Sequence, residues 1–159
     1  MYLDHAKKTF AEANARVHMA QWICPCSEEE VAALEQKLGV SLPAAYREFL
    51  LWMGHGAGQF LQGTDVFYEA LPLNDAAREL LQEDEVTEPL PSDAIVFYMA
   101  QGYQFQFMRA SEGDDPPVYF YEEGMSEAPV PRLYASFSAF LETEIEGHAN
   151  LLGQMQRSS

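Results

Sequence analysis

The chain is poor in cysteine and in basic residues, and it contains no long apolar run. Its only two cysteines, Cys24 and Cys26, flank Pro25. Disulfide geometry is specific, so a bridge across one residue would be strained, and we expect reduced thiols as in the cytosol. No apolar run approaches the roughly 20 residues that span a bilayer, and no apolar segment follows the early lysines as in a secretory signal. These absences predict a cytoplasmic protein without membrane contact.

Motifs for catalysis and for metal binding are also missing. There is no G-x-S-x-G elbow and no G-K-[ST] phosphate loop. The segment G-H-G-A-G around His55 follows a helical pattern, so we interpret its glycines as a helix stop and His55 as a free-standing polar group. The C-x-C pair could begin a metal site with His5 or His18, but no second C-x-x-C or H-x-x-x-H pair exists. We therefore predict no enzyme, no cofactor and no metal site.

Charge of one sign is abundant. The chain has 25 acidic against 9 basic residues, for a net charge of −16. Residues 60–131 hold 15 of the acids and only two bases, Arg78 and Arg109. A field this negative repels nucleic acid and anionic membranes and speeds encounter with a basic partner. Plain solubility explains the magnitude of the charge, but it explains the concentration in the middle less well.

Helices dominate the first part of the sequence. Residues 4–20 show a weak apolar face, and we expect Trp22 and Ile23 to dock this element onto the domain. Ser27 and Glu30 have the spacing of a capping box at the start of a second helix. Gly39 and Pro43 then separate that helix from a third, which ends at the glycines 54, 56 and 58.

Strands dominate the next part. We predict a short strand at 66–68, a helix capped by Asn74, and an exposed loop over 83–93. Residues 95–99 are apolar throughout, as in a strand buried on both faces. Residues 103–108 alternate, which is typical of a half-buried strand; an RNA-stacking sheet is the alternative, but the charge argues against it. Further strands follow at 118–121 and 132–135.

A closing helix completes the pattern. Ser136 is predicted to cap it and Gly147 to end it, with little to anchor the tail from His148 onward. No internal repeat or linker divides the chain. The sequence thus predicts a single α+β domain over residues 1–159, with helices at the N-terminus, a mainly antiparallel meander and a C-terminal helix.

One stretch resembles a known family. Residues 35–50 show the signature E-x-x-L-G-x-x-L-P-x-x-Y-R-x-F-L of the Smi/Knr-type domain, the SUKH superfamily. Residues 95–109 look like the family's central strand pair, and residues 136–142 look like its closing helix. The resemblance covers about residues 25–146 and leaves out an N-terminal helix and a short C-terminal tail. It implies a non-catalytic binding protein, since many bacterial members are immunity proteins that neutralise a toxin by binding it.

Three functions stay open at this stage. The first is an immunity protein whose partner is a cognate toxin with a basic surface, such as a nuclease. The second is a regulatory scaffold with a housekeeping partner. The third is an enzyme, which requires a pocket of polar groups near His55. For the binding functions, acids beside aromatic residues are the expected contacts. The predicted contact residues are Asp65, Tyr68, Glu69, Tyr103, Glu112, Asp114, Asp115, Tyr119, Glu122 and Glu123.

Overall fold

The computed structural model describes residues 1–125 and 131–158. Its helices are α1 (Asp4–Val17), α2 (Glu28–Leu38), α3 (Ala44–Met53), α4 (Asn74–Glu83) and α5 (Phe137–Arg157). Its strands are β1 (Ala94–Ala100), β2 (Gln104–Arg109), β3 (Val118–Glu122) and β4 (Arg132–Tyr134). The strands form one antiparallel sheet in sequence order. The predicted α+β class is confirmed.

Local signals set the α2–α3 hairpin. The Ser27 side chain accepts a hydrogen bond from the Glu30 backbone, and the Glu30 carboxylate accepts one from the Ser27 backbone, so the predicted capping box is present. Gly39 ends α2 with φ of 70°, a conformation that glycine adopts without strain. Pro43 immediately precedes α3, as predicted.

The sheet lies between two apolar clusters. Helices α1, α2, α3 and α5 cover one face, against Ile95, Phe97 and Met108, and α4 covers the other, against Val96 and Phe105. The pairing of β1 with β2 shifts between residues 96 and 98. This irregularity lets the two consecutive aromatic residues at 97 and 98 both pack with the larger cluster. The domain is therefore built in three layers, with α4 alone on its side of the sheet.

Strand β2 differs from its prediction as a half-buried strand. Its residues 105–108 are all buried, because helices pack on both faces of the sheet. Gln106 points toward the larger cluster and is only 5% exposed. In β2, the alternation of polar and apolar residues therefore does not correspond to one face in solvent and one face in the core.

Two predictions near the edge of β1 were wrong. Residues 66–68 form no strand; the chain makes a single bridge in which the backbones of Asp65 and Met99 exchange hydrogen bonds of 2.8 and 3.0 Å. Asn74 does not cap α4. Its side chain donates to the carbonyl of Ala94 (2.9 Å) and accepts from the backbone N–H of Val96 (3.0 Å). The Asp65 backbone and the Asn74 side chain thus form hydrogen bonds with backbone groups at the edge of β1 that would otherwise be unpaired.

The two ends of the chain pack together. Helix α1 lies along α5 and ends at Val17, three residues earlier than predicted. Helix α5 continues through Gly147 to Arg157, so the prediction that Gly147 ends it was wrong. Beyond Gly147, Ala149 is buried and Gln156 donates to the Val17 carbonyl at 2.8 Å, which anchors the tail. Packing of α1 along α5 offsets the low helix propensity of Gly147, so the helix continues past it.

The N-terminus is held by a buried carboxylate. Glu48 of α3 is 8% exposed and accepts hydrogen bonds from the backbone N–H groups of Tyr2 (2.9 Å) and Leu3 (3.2 Å). The predicted docking by Trp22 and Ile23 is limited: the Trp22 ring lies against Gly56, but Trp22 is 55% and Ile23 41% exposed. Leu3 and Phe10 of the N-terminal segment are buried and dock it instead.

Candidate partner-binding surface

The end of α4 meets the end of β3 at a cluster of acids. Asp84 accepts hydrogen bonds from the Tyr121 hydroxyl and from the Gly124 backbone N–H, the latter at 3.4 Å. These contacts bring the acids around Asp84 beside those that follow Tyr121. We call this set the acidic corner: Glu83, Asp84, Glu85, Glu122 and Glu123.

The acidic corner has no basic residue in its own segments, since no Lys or Arg occurs at 79–108 or at 110–131. Glu83, Glu85 and Glu123 are exposed. Burial, the hydrogen bond to Asp84 and the charges of Asp84 and Glu123 together raise the pKa of the Tyr121 phenol to about 12. The tyrosine is therefore a neutral donor that fixes Asp84, while the surrounding carboxylates face solvent.

Three predicted contact residues lie at this corner. Glu122 and Glu123 belong to it, and the backbone N–H of Glu123 donates to the Tyr103 carbonyl at 2.8 Å. Sequence reasoning missed Glu83, Asp84 and Glu85 as contacts. The available signal was the acidic run at 83–85, which was interpreted only as part of an exposed loop. The hydrogen bond between Asp84 and Tyr121 joins residues 37 positions apart, and no local pattern predicts it.

Two further predicted residues engage each other beside this corner. The Tyr119 hydroxyl donates to both carboxylate oxygens of Glu112, each at 2.9 Å. Arg109 Nε donates to Asp93 at 2.9 Å and lies 4.0 Å from Glu112. Burial alone would raise the pKa of Asp93, but hydrogen bonds from Ser111 and Arg109 outweigh it and hold the pKa below its ordinary value. Arg109 is thus already paired with acids of its own chain.

Asp114 and Asp115 lie elsewhere and make structural contacts. Asp114 accepts a hydrogen bond from the Tyr2 hydroxyl at 3.0 Å. Asp115 accepts from the backbone N–H of Ser138 (2.9 Å) and from its hydroxyl (2.6 Å), at the first turn of α5. These two carboxylates tie the β2–β3 connection to the N-terminus and to α5. Asp65 is separate again, at the β1 edge described above.

Tyr68 and Glu69 belong to a third location, around His55. His55 Nε2 lies 2.7 Å from Glu30 Oε2, and His55 Nδ1 contacts Glu69. The hydrogen bond to Glu69 raises the pKa of His55, burial opposes this, and the bond to Glu30 adds to it. The ring also packs edge-to-face on Tyr68, with centroids 5.3 Å apart. The interpretation of His55 as a free-standing group was therefore wrong.

Cys26 completes this third location. It is 5% exposed, and its Sγ lies within 4.8 Å of donor atoms of both Glu30 and His55. Burial raises the pKa of the Cys26 thiol to about 12, and the charges of Glu30 and Glu69 contribute. The ligands that the sequence suggested for a site with the C-x-C pair, His5 and His18, are not in this group; His55 is.

Comparison with known families decides the assignment. The sequence model of the SMI1 / KNR4 family (SUKH-1) matches residues 25–143, about three quarters of the chain. The chain belongs to the SUKH-1 family. No curated protein sequence matches it. Membership confirms the resemblance drawn from the signature, and it agrees with a binding domain, which is what members of this family generally are.

The SUKH-1 signature has a structural basis in this chain. Glu35 accepts a hydrogen bond from the Leu42 backbone at 3.2 Å and forms an ion pair with Arg47, so it joins α2 to α3 across the hairpin. Tyr46 and Phe49 of the same signature are fully buried. These residues build the scaffold, and the acidic corner lies outside the signature. The part of this SUKH-1 chain that the structure describes contains no helix long and apolar enough to cross a membrane.

Proposed function

We propose that this SUKH-1 domain is a non-catalytic binding protein that neutralises a cognate toxin by binding it, with the acidic corner as the main contact. The main support for the proposal is that a SUKH-1 domain, from a family of binding domains, here gathers five acidic residues at one corner. Its exposed carboxylates stand without a basic neighbour in their own segments, so they are available to cations of another protein.

The physical basis is electrostatic complementarity. A chain with a net charge of −16 attracts a basic surface over long range, and carboxylates at the contact then pair with Lys or Arg of the partner. A basic nuclease toxin has such a surface where it binds its substrate. A bound acidic domain would exclude the nucleic acid from that surface. Tyr103 and Tyr119 beside the corner supply apolar contact area.

The test is an affinity capture of the tagged protein from its native cells at low and at high salt. We expect a basic partner that is toxic when expressed alone and whose binding weakens at high salt, because salt screens exposed charges. A neutral, non-toxic partner retained at high salt would instead favour the regulatory scaffold. It would contradict the immunity function.

A pair of matched double variants locates the contact. Glu83→Gln with Glu123→Gln removes two exposed charges from the acidic corner, and Glu12→Gln with Glu146→Gln removes two exposed charges from α1 and α5 across the sheet. Both variants have the same net charge. We expect the corner variant to bind about tenfold more weakly and the control to bind almost as the wild type. Equal affinities would show that only net charge matters and would refute the corner as the contact.

A further inference from the structure

Cys26, Glu30 and His55 place three different donor types around one point. The thiol sulfur, a carboxylate oxygen and an imidazole nitrogen all lie within 4.8 Å of one another. A tetrahedral Zn²⁺, with bonds of about 2.0–2.3 Å, holds such donors about 3.3–3.6 Å apart. Shifts of about one ångström in the side chains therefore suffice to place all three atoms on one ion: Glu30 Oε2 and His55 Nε2, now hydrogen-bonded at 2.7 Å, would separate and lose the proton between them, and the sulfur would move closer.

The donors are oriented by bonds that a metal would leave intact. Glu30 uses one carboxylate oxygen, Oε1, to accept the Ser27 N–H at 2.9 Å in the capping box, so Oε2 is directed at His55. His55 uses Nδ1 to contact Glu69, which leaves Nε2 directed at Glu30. A carboxylate on the outer nitrogen of a metal-binding histidine is the usual arrangement in protein zinc sites, because it fixes the tautomer and the ring.

The backbone also holds the segments together. The Cys24 N–H donates to the Gly56 carbonyl and the His55 N–H donates to the Cys24 carbonyl, each at 2.9 Å. The Cys26 N–H donates to the Leu50 carbonyl at 2.9 Å. The cysteine segment is therefore locked onto the end of α3, and the donors are close before any ion binds. Such preorganisation lowers the entropic cost of binding.

Two features of the structure concern the surroundings of the sulfur. At Gly54 a Cβ atom would lie 2.2 Å from Cys26 Sγ, so only glycine leaves the sulfur its position. The Tyr46 hydroxyl is fully buried and has no hydrogen-bond partner within residues 1–125 and 131–158, although it lies near enough to Cys26 for a charge on the sulfur to affect it. A thiolate bound to a metal would give this hydroxyl a charged group to face.

We propose that Cys26, Glu30 and His55 bind a divalent transition-metal ion, best matched by Zn²⁺, and that Glu69 holds His55 from outside the coordination sphere. Sulfur and imidazole donors suit zinc and disfavour Mg²⁺ and Ca²⁺, which take oxygen donors. The three protein donors leave the fourth tetrahedral position to water, as in open zinc sites. This site is independent of the proposed function, since it lies apart from the acidic corner.

Cobalt titration of the purified protein, reduced and freed of metal, tests the proposal directly. Co²⁺ replaces Zn²⁺ in tetrahedral sites, and its bond to a thiolate produces a charge-transfer absorption band that no other donor here produces. We expect one equivalent of Co²⁺ to produce this band and one equivalent of Zn²⁺ to abolish it. Absence of the band at saturating Co²⁺ would overturn the proposal without any substitution in the chain.

Matched variants then assign the ligands. Cys26→Ala should abolish the band, whereas Cys24→Ala, an exposed cysteine two residues away, should retain it. His55→Gln should weaken Zn²⁺ binding more than 100-fold. Glu30→Gln keeps an oxygen for the capping box and should weaken binding at least tenfold. Glu69→Gln should weaken binding about 10–100-fold, as expected for an outer-sphere residue.

Two results would contradict these assignments. A band that depends on Cys24 and survives Cys26→Ala would place the metal elsewhere. Unchanged Zn²⁺ affinity in His55→Gln, measured by competition with a chelating dye, would exclude His55 as a ligand. Circular dichroism of each metal-free variant checks the fold, and the cobalt band of the wild type stands as evidence even if one variant unfolds.

Discussion

The Asn74 side chain should contribute more to stability than its position at the start of α4 suggests. Its amide pairs with the Ala94 carbonyl and with the Val96 N–H, as a neighbouring strand would, and it is only 9% exposed. Asn74→Ala leaves both backbone groups buried and unpaired. Each unpaired group costs about 1–3 kcal/mol.

The expected loss follows from this count. Two unpaired groups cost about 2–6 kcal/mol, and the higher helix propensity of alanine returns about 0.5 kcal/mol. We expect Asn74→Ala to lower the free energy of unfolding by about 1.5–5.5 kcal/mol, a large part of the 5–15 kcal/mol typical of a domain. The β1 edge would also open to pairing with other chains, so we expect more aggregation at high concentration.

Urea unfolding followed by circular dichroism measures the effect. At a slope of about 2 kcal/mol per molar urea, the midpoint should fall by about 0.7–2.7 M. Asn150→Ala is the matched control, because Asn150 is exposed within α5. We expect it to be neutral or slightly stabilising. If Asn74→Ala unfolds within about 0.5 kcal/mol of the wild type, the two amide bonds do not contribute as reasoned.

The remaining predictions concern pH and glycine. Burial beside Phe60 lowers the pKa of His148 below its ordinary 6.5. Below pH 6.5 the unfolded chain therefore protonates His148 more readily than the folded chain does, so the contribution of His148 to stability falls as the pH drops through 6.5, whereas the raised pKa of His55 acts in the opposite direction. In urea titrations at several pH values, the stability of His148→Gln should fall less, or rise more, than that of the wild type as the pH drops; the same pH dependence in both proteins would contradict this. Gly54→Ala should destabilise the fold, because its Cβ would collide with Cys26, whereas Gly147→Ala, with no atom within 4 Å, should stabilise it by about 1 kcal/mol in thermal unfolding. Equal signs for the two glycines would refute the steric argument.

The proposed partner-binding surface and the proposed metal site lie in different parts of the molecule and are tested independently. The acidic corner lies where α4 meets the end of β3, whereas the metal donors lie where α2 meets α3. A failed capture of a basic partner would leave the cobalt result unaffected. Loss of the cobalt band in Cys26→Ala would likewise not alter binding at the acidic corner.

Local sequence signals predicted the elements whose causes are local. The capping box of Ser27 and Glu30, the stop at Gly39 and the cap at Ser136 depend on residues a few positions apart, and all three are present. The apolar run at 95–99 predicted β1, and its burial on both faces is confirmed. The family signature at 35–50 predicted the class of domain, which the family match confirms.

Long-range packing overrode the local signals elsewhere. Gly147 is a helix breaker by propensity, but contact with α1 carries α5 past it. Asn74 is a good capping residue, but its amide instead forms two hydrogen bonds with the backbone at the edge of β1. No charged residue lies close to His55 in the sequence. The α2–α3 hairpin nevertheless brings Glu30 to its Nε2, and the loop after α3 brings Glu69 to its Nδ1.

The sequence by itself determined the α+β class, the α2–α3 hairpin, the family and the excess of negative charge, because each depends on composition or on residues close in the chain. Only the tertiary structure decided which acids meet at one corner and which donors surround Cys26. Those groupings join residues far apart in the chain: Asp84 and Tyr121 are separated by 37 positions, and Glu30 and His55 by 25. Packing of helices on both faces of the sheet fixes such pairs, and no local spacing encodes them.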